Sequence, residues 1–547
     1  MARFLLPLAF CGLLLTGITY TAAAPPTANY LFPAGGSQGQ VVAIQVGGEF
    51  PEWPLQAQSD RPGVAFAPDE KEKGQYQATI DKDAAPGLYW VRIYGSQGAA
   101  APLPFVVGST PETVETEPNE LVSAAQAVAS PIVINGRLQA RNDVDAYAIT
   151  LQAGQTLVAS LAANSPLGSP MDAILQVCST DGLVLAQNDD GAGLDPLLIY
   201  KAPRDGVCVV RMFAFPTTPN STVALAGGED FVYRLTLTTG PFVDHALPLT
   251  VQAGATSPTK LFGWNLAEDA AADQAIASDK AWVSSAGAAG TIALPVVDQA
   301  ALLSDSVSRK LPQLIELPAR ISGRIALPGE EHAFRFPLVK GQKWRFEVES
   351  HQAGFPLDAV LKLYNDEGTV LAENDDRVRS KIDPSLLYAV KADGDCVLTV
   401  SDLHRDGGLR YVYRLKIEPA TPDFELTLDA HGWNVAPGKT LEVPVTVVRQ
   451  EGFGGEIEIT ASGLPEGVSA EPVVSKKGDA SEKKVVLKIV ASDQPGHGAF
   501  QVLGSAPATA AADAETPAPV LTHAAVFPLK GDALTSSQAW ITVVKTP

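Results

Sequence analysis

Glu115, Glu117, Asn119 and Glu120 crowd one short segment, and Asp143 and Asp145 follow on a second. Side chains of these types offer carboxylate and amide oxygens, the donors that hard divalent cations collect six to eight at a time. The other reading is a solvated acidic connector whose aspartates cap turns. A second acidic motif occurs twice, as Asn188-Asp189-Asp190 downstream of Asp172 and as Asn374-Asp375-Asp376 downstream of Asp358. It reads first as turn chemistry, because Asn and Asp bond to nearby backbone; an ion site and a carbohydrate-facing loop are the alternatives. Trp264, Trp344 and Trp433 read as core residues before stacking platforms. Catalytic motifs are scarce. There is no His-Glu-x-x-His, no Gly-x-Ser-x-Gly and no phosphate-cradling glycine loop, and His245, His332, His351, His404, His431, His497 and His523 lie without metal-ligand spacing. A triad or a carboxylate pair assembled from distant residues stays open.

The segments that carry these residues are written twice. Ile134-Asn135-Gly136-Arg137-Leu138 is echoed by Ile321-Ser322-Gly323-Arg324-Ile325, and Gly154-Gln155 by Gly341-Gln342. Gly168-Ser169-Pro170-Met171-Asp172 is matched by Gly354-Phe355-Pro356-Leu357-Asp358, and Tyr233-Arg234-Leu235 by Tyr413-Arg414-Leu415. A unit of about 110 to 130 residues is a domain and not a solenoid period. In each copy, alternating runs such as Ala146 to Leu151 and Ala333 to Leu338 end in glycine turns, so strands recur at sandwich spacing.

The whole chain is expected to be all-β, a tandem array of antiparallel β-sandwich domains of jelly-roll and immunoglobulin-like type. Residues 1–23 read as a signal peptide, with Arg3 before an apolar run and small residues at the cleavage point. Residues 24–108 read as an immunoglobulin-like sandwich, 109–240 as copy 1, 241–312 as a small β spacer with an Ala-rich stretch suited to a short helix, 313–419 as copy 2, and 420–547 as a C-terminal immunoglobulin-like sandwich. The stretch from Ala506 to Pro519 reads as a flexible loop. A length of 547 residues with 46% hydrophobic content supports several cores, and 47 Gly with 42 Pro supports many turns. The net charge of -21 argues against nucleic acid or an anionic membrane, since either needs a concentrated basic face. No stretch after the leader is long and apolar enough to span a bilayer. Cys178, Cys208 and Cys396 remain after processing; Cys178 and Cys208 either bridge two strands or serve, as Cys396 does alone, as small buried side chains.

Copy 1 resembles the bacterial pre-peptidase C-terminal domain, a β-sandwich similar to the collagen-binding domain of secreted collagenases. The resemblance rests on Glu115-Thr116-Glu117-Pro118-Asn119-Glu120, Gly136, Asn142-Asp143-Val144-Asp145-Ala146-Tyr147, Gly154-Gln155, Asp172, Asn188-Asp189-Asp190 and Tyr233-Arg234-Leu235. The arrangement of two such modules among other sandwiches also resembles multidomain secreted proteins of planctomycete-type bacteria. The resemblance implies calcium held by Glu115, Glu117, Asn119, Glu120, Asp143 and Asp145. Copy 2 departs from it: Glu330 stands for Asp143, His332 for Asp145, and no Glu-Pro-Asn precedes Ile321. Calcium is therefore expected on copy 1 only.

Every segment is accounted for by a sandwich, so the expected function is noncatalytic. It is a secreted, periplasmic or envelope-associated protein that presents rigid, elongated, serial modules to a protein fibre, a glycan or a cell-surface partner. The alternative is an accessory or chaperone-like component of a secreted peptidase or other hydrolase.

Overall fold

The computed structural model describes residues 24–218, 224–254, 258–277, 279–305, 308–377, 382–508, 520–530 and 534–544. The leader and most of the Ala506 to Pro519 stretch lie outside them, although the strand Gly496–Pro507 takes in its first two residues. Among the described residues the chain is all-β, interrupted only by single 3-10 turns at Val122–Ala124 and His351–Ala353. Alternation dictates this. In Glu331–Leu338, His332, Phe334, Phe336 and Leu338 turn inward while Arg335 and Pro337 face out. Phe334, Phe336 and Phe346 then share one core with Trp344 and Tyr413, each large apolar side chain contributing about 1.5–3 kcal/mol.

The first domain pairs Tyr30–Phe32, Val41–Gly47, Gln75–Ile80 and Val64–Pro68 in one sheet, and Gly35–Ser37, Leu103–Gly108, Gly87–Gly95 and Gln56–Ser59 in the other. This is an immunoglobulin-like order. Tyr89 donates to the Ala85 carbonyl at 2.9 Å, the corner contact typical of such sandwiches. The last domain repeats the scheme from Asp423–Leu428 to Ala539–Val543.

Copy 1 stacks two five-stranded sheets. One runs Glu112–Val114, Ile132–Arg137, Val232–Thr238, Thr156–Ala162, Leu197–Lys201; the other runs Gln126–Ala127, Asp145–Leu151, Gly206–Pro216, Met171–Cys178, Val184–Asn188. Copy 2 repeats the order strand for strand, opening with Leu302–Leu303 in one sheet and Gln313–Leu314 in the other. In both copies the opening connector adds one short parallel strand to each sheet, so the sandwiches are not wholly antiparallel.

Two expectations need correction. Leu302–Leu303 pairs with Ile321 and Ser322, so copy 2 starts inside the 241–312 stretch read as spacer; two exposed leucines carry no alternation that would mark a strand. Among its described residues the Ala-rich stretch forms no helix. Its end, Asp273–Ala277, is an edge strand paired residue for residue with Lys280–Ser284, and that ladder overrides the helix propensity of alanine. The Cys178, Cys208 and Cys396 thiols are free.

The domains do not form an extended string. Arg410 of copy 2 donates to the Asp244 carboxylate of the spacer at 2.9 Å and to the Gly191 carbonyl of copy 1. Asn434 of the last domain donates to the Gln97 carbonyl of the first at 2.6 Å, and Lys530 reaches the Asn29 carbonyl at 2.6 Å. The chain therefore closes on itself, first domain against last.

Candidate metal centre

The connector that enters copy 1 runs beside Ile132–Arg137, and Glu115 N–H donates to the Asn135 carbonyl at 3.0 Å. That register turns Glu115 inward, toward the start of Asp145–Leu151. Glu115, Glu117 and Asp145 each bring a carboxylate oxygen within 4.8 Å of the others. Asp145 is fully buried, and one of its oxygens, Oδ1, has no hydrogen-bond partner. Asn119 is also fully buried, with both side-chain atoms unpartnered; its N–H donates to Glu117 at 2.9 Å.

Tyr233 lies at the floor of the cluster. Its hydroxyl is 2.5 Å from Asp145 Oδ2 and 3.3 Å from Glu115 Oε2, and it is also bonded to the Tyr147 hydroxyl. Adjacent residues of a strand face opposite ways, so the same Tyr-Arg-Leu motif sends Tyr233 inward and Arg234 outward. Arg234 grips Glu112 with bonds of 2.6 and 2.8 Å and abuts Gly35 of the first domain. Gly136 is required here, since a Cβ would overlap the Tyr233 ring and the Glu115 carboxylate.

Burial, reinforced for Glu115 by Glu117 and for Asp145 by Glu115, pushes both carboxyls well above the usual range. Burial also raises Glu117, with Asp143 adding to the effect. Among the described residues, the leading influences on these two carboxyls include no Lys or Arg side-chain charge. Concentrated, mostly buried negative charge with orphaned oxygens is costly unless a cation fills it. An all-oxygen set of this kind suits calcium.

Of the six residues singled out in sequence, Glu115, Glu117 and Asp145 converge and Asn119 is buried next to them. Asp143 is near enough to perturb their protonation, but its oxygens accept the Gln139 and Val144 N–H groups at 2.6 and 2.9 Å. Glu120 is exposed. Tyr233 and Tyr147 were not among the expected site residues.

Copy 2 holds a different solution in the same frame. Ser304 N–H donates to the Ser322 carbonyl at 2.9 Å, the bond that Glu115 makes in copy 1, so Ser304 occupies the Glu115 position. His332 stands for Asp145: its Nδ1 lies 2.9 Å from Ser304 Oγ and 2.7 Å from the Tyr413 hydroxyl, and its Nε2 lies 3.1 Å from Glu330. Burial lowers the His332 pKa. The set satisfies itself without an ion.

Asp172 and Asp358 sit near their Asn-Asp-Asp loops, where Asn188 and Asn374 accept the Leu197 and Ser385 N–H groups at 2.8 and 2.9 Å, bonds that span 9 and 11 residues and tie the start of the loop to its far end. Trp344 is core, while Trp264 packs on Phe242 and Trp433 on Phe500.

No family model matches the chain. A probable subtilase-type serine protease of Deinococcus radiodurans is 36% identical over 64 residues, which is 12% of this chain and 9% of the protease. The chain thus spans about a tenth of that curated relative's length. Among solved structures, the catalytic domain of Clostridium perfringens ZmpB with its two CBM51 domains gives a TM-score of 0.14 at 11% identity, over 74% of this chain and 55% of that one. Trypsin-activated alpha-2-macroglobulin from Escherichia coli gives 0.15 at 10% identity, over 92% and 49%. The N-terminal four Ig domains of Dscam1 give 0.16 at 10% identity, over 92% and 97%. None of these superpositions is close enough to transfer a function. Among the described residues no helix is long and apolar enough to cross a membrane.

Proposed function

We propose that this chain is a noncatalytic binding protein of the extracellular space or cell envelope whose first repeat, a pre-peptidase C-terminal-type module, is locked by one calcium ion. The contrast between the repeats carries the reading. One frame holds Glu115, Glu117, Asp145 and Asn119 with Asp145 Oδ1 and the Asn119 amide unpaired, and its duplicate replaces the first and third by Ser304 and His332, which pair with each other and with Tyr413. A duplicated fold that needed the acids only as turn caps would not have to exchange them for a self-bonded set. Calcium would draw on the Glu115, Glu117 and Asp145 carboxylates and the Asn119 amide, and would fix the connector to the sandwich. The module's partner is then a protein fibre, a glycan or a surface protein.

Calorimetric titration with calcium near neutral pH is expected to give one site per chain. Asp145→Asn should abolish it and His332→Gln should leave it unchanged; no binding, or binding that survives Asp145→Asn, would sink the proposal. Gly136→Ala should weaken calcium at least about tenfold, or about 1.4 kcal/mol, by displacing Tyr233, while Gly323→Ala, which crowds Tyr413, should not.

The likeness to a subtilase-type protease favours a second reading, an accessory or chaperone-like component of a secreted hydrolase. It requires the protein to capture a hydrolase in a calcium-containing pull-down and to raise that enzyme's activity or yield.

A further inference from the structure

The contact between the first and last domains has an unusual composition. Trp540 faces away from its own core and is only 4% exposed, because Tyr94 of the first domain packs on it at 4.8 Å and the Arg92 guanidinium lies 5.4 Å from its ring. Arg92 is itself 7% exposed. Among the described residues it has no carboxylate partner and donates to carbonyls: Gln538 at 2.9 Å, Ala100 at 3.4 Å and His431 at 3.5 Å. The His431 Nδ1 is buried and unpartnered.

We propose that this contact is an acid-released latch, kept shut at neutral pH by a neutral His431 beside the buried Arg92 charge. Among the described residues, the groups around His431 supply no compensating acid. The Gly87–Gly95 strand presents Arg92 and Tyr94, the Gly496–Pro507 strand presents His497, which stacks on Trp540 at 5.8 Å, and the Gly432–Val435 and Ala539–Val543 strands present Asn434 and Trp540. Glu52 is committed to the Gln97 N–H and the Ser96 hydroxyl. A proton on His431 would therefore place a second positive charge next to the buried Arg92 in a partly buried contact, whereas the opened latch would hydrate both.

Burial, with Arg92 second, lowers the His431 pKa from 6.5 to about 4. The sign follows. Above about 6.5 the imidazole is neutral in both states and the latch keeps its full strength. Between there and about pH 4 the open state binds the extra proton, so each unit of acidification shifts the equilibrium toward opening about tenfold. His497 is also lowered by burial and acts in the same direction.

The test is hydroxyl-radical footprinting of the full-length mature protein across this range, reading oxidation of Trp540 by mass spectrometry, with the core residue Trp344 as internal control. Trp540 oxidation should rise about tenfold per pH unit in the wild type while Trp344 stays protected. The slope should shrink strongly in His431→Gln. Asn434→Ala, which removes a latch hydrogen bond but no titrating group, should raise Trp540 oxidation at every pH and keep the slope. A flat wild-type profile, an unchanged slope in His431→Gln, a slope lost in Asn434→Ala, or exposure of Trp344 in parallel with Trp540 would each overturn the latch.

Discussion

In chelator, the first repeat is expected to lose stability as the pH rises, and calcium is expected to remove the larger part of that loss. Carboxylates that form ion pairs stabilise a fold above their pKa; Glu115 and Asp145 do the reverse. Burial and mutual repulsion hold both well above the usual carboxylate range in the native state, while in the unfolded chain they ionise near pH 4. From about pH 4 upward through neutrality, the native chain keeps protons that the unfolded chain has released. Each such proton costs about 1.4 kcal/mol of stability per pH unit. Calcium competes for the same oxygens and binds only the ionised cluster, so in its presence the folded state no longer needs the protons. At a hundredfold excess over its dissociation constant it adds about 2.7 kcal/mol. Asp195, which burial raises to about 7, contributes a slope of the same sign that calcium does not touch, so the difference between the chelator and calcium curves isolates the cluster. Calorimetric melts at a series of pH values measure it. Asp145→Asn keeps a hydrogen-bonding partner for Tyr233 but removes one charge, so it should flatten the chelator curve and lose the calcium response. Parallel curves with and without calcium in the wild type would mean that the cluster holds no ion.

How far the sequence reaches can be judged at single residues. Alternation in Ala146 to Leu151 and Ala333 to Leu338 located strands that the structure extends by one or two residues, as Asp145–Leu151 and Glu331–Leu338. The repeated motifs announced two copies of one sandwich because each motif serves a fixed place in it: Gly136 and Gly323 clear room for Tyr233 and Tyr413. Glu115, Glu117 and Asp145 were legible as oxygen donors. Tyr233 was visible only as a closing motif, since its place under Asp145 comes from a side-chain contact between the two stacked sheets, across 88 residues, that no local pattern encodes. Ser304 was missed for a related reason. The connector of copy 2 is two residues shorter than that of copy 1 between the equivalent bonds, Glu115 to Asn135 and Ser304 to Ser322, so the constant spacing of the motifs does not bring Ser304 opposite Glu115. Closure of the first domain onto the last depends on side chains such as Arg92 and Trp540, which in sequence look like ordinary sandwich residues.

The largest single-residue loss is expected at a carboxylate remote from any ion. Asp195 is almost wholly buried and accepts three consecutive backbone N–H groups, from Ala163 at 3.1 Å, Asn164 at 2.8 Å and Ser165 at 2.9 Å. Copy 2 makes the same device from Asp383 with Ser350, His351 and Gln352 at 3.1, 2.9 and 2.8 Å. Asp195→Ala removes the shared acceptor of all three donors and leaves the buried Ala163 N–H unpaired, at a cost of about 1–3 kcal/mol. The turn has a second duty. It carries Leu167 into a cluster with Tyr30 and Ala34 of the first domain, just as the copy 2 turn leads to Phe355, which meets His245 of the spacer. Releasing either turn should therefore weaken a domain contact as well as a sandwich. Calorimetry should show Asp195→Ala lowering the calcium-responsive transition and Asp383→Ala a calcium-insensitive one, and limited proteolysis should cut near residues 163–168 and 350–355 respectively. A loss under about 1 kcal/mol in both variants would mean that the turns keep their shape without the carboxylate, and that the repeats are joined to their neighbours by apolar packing alone.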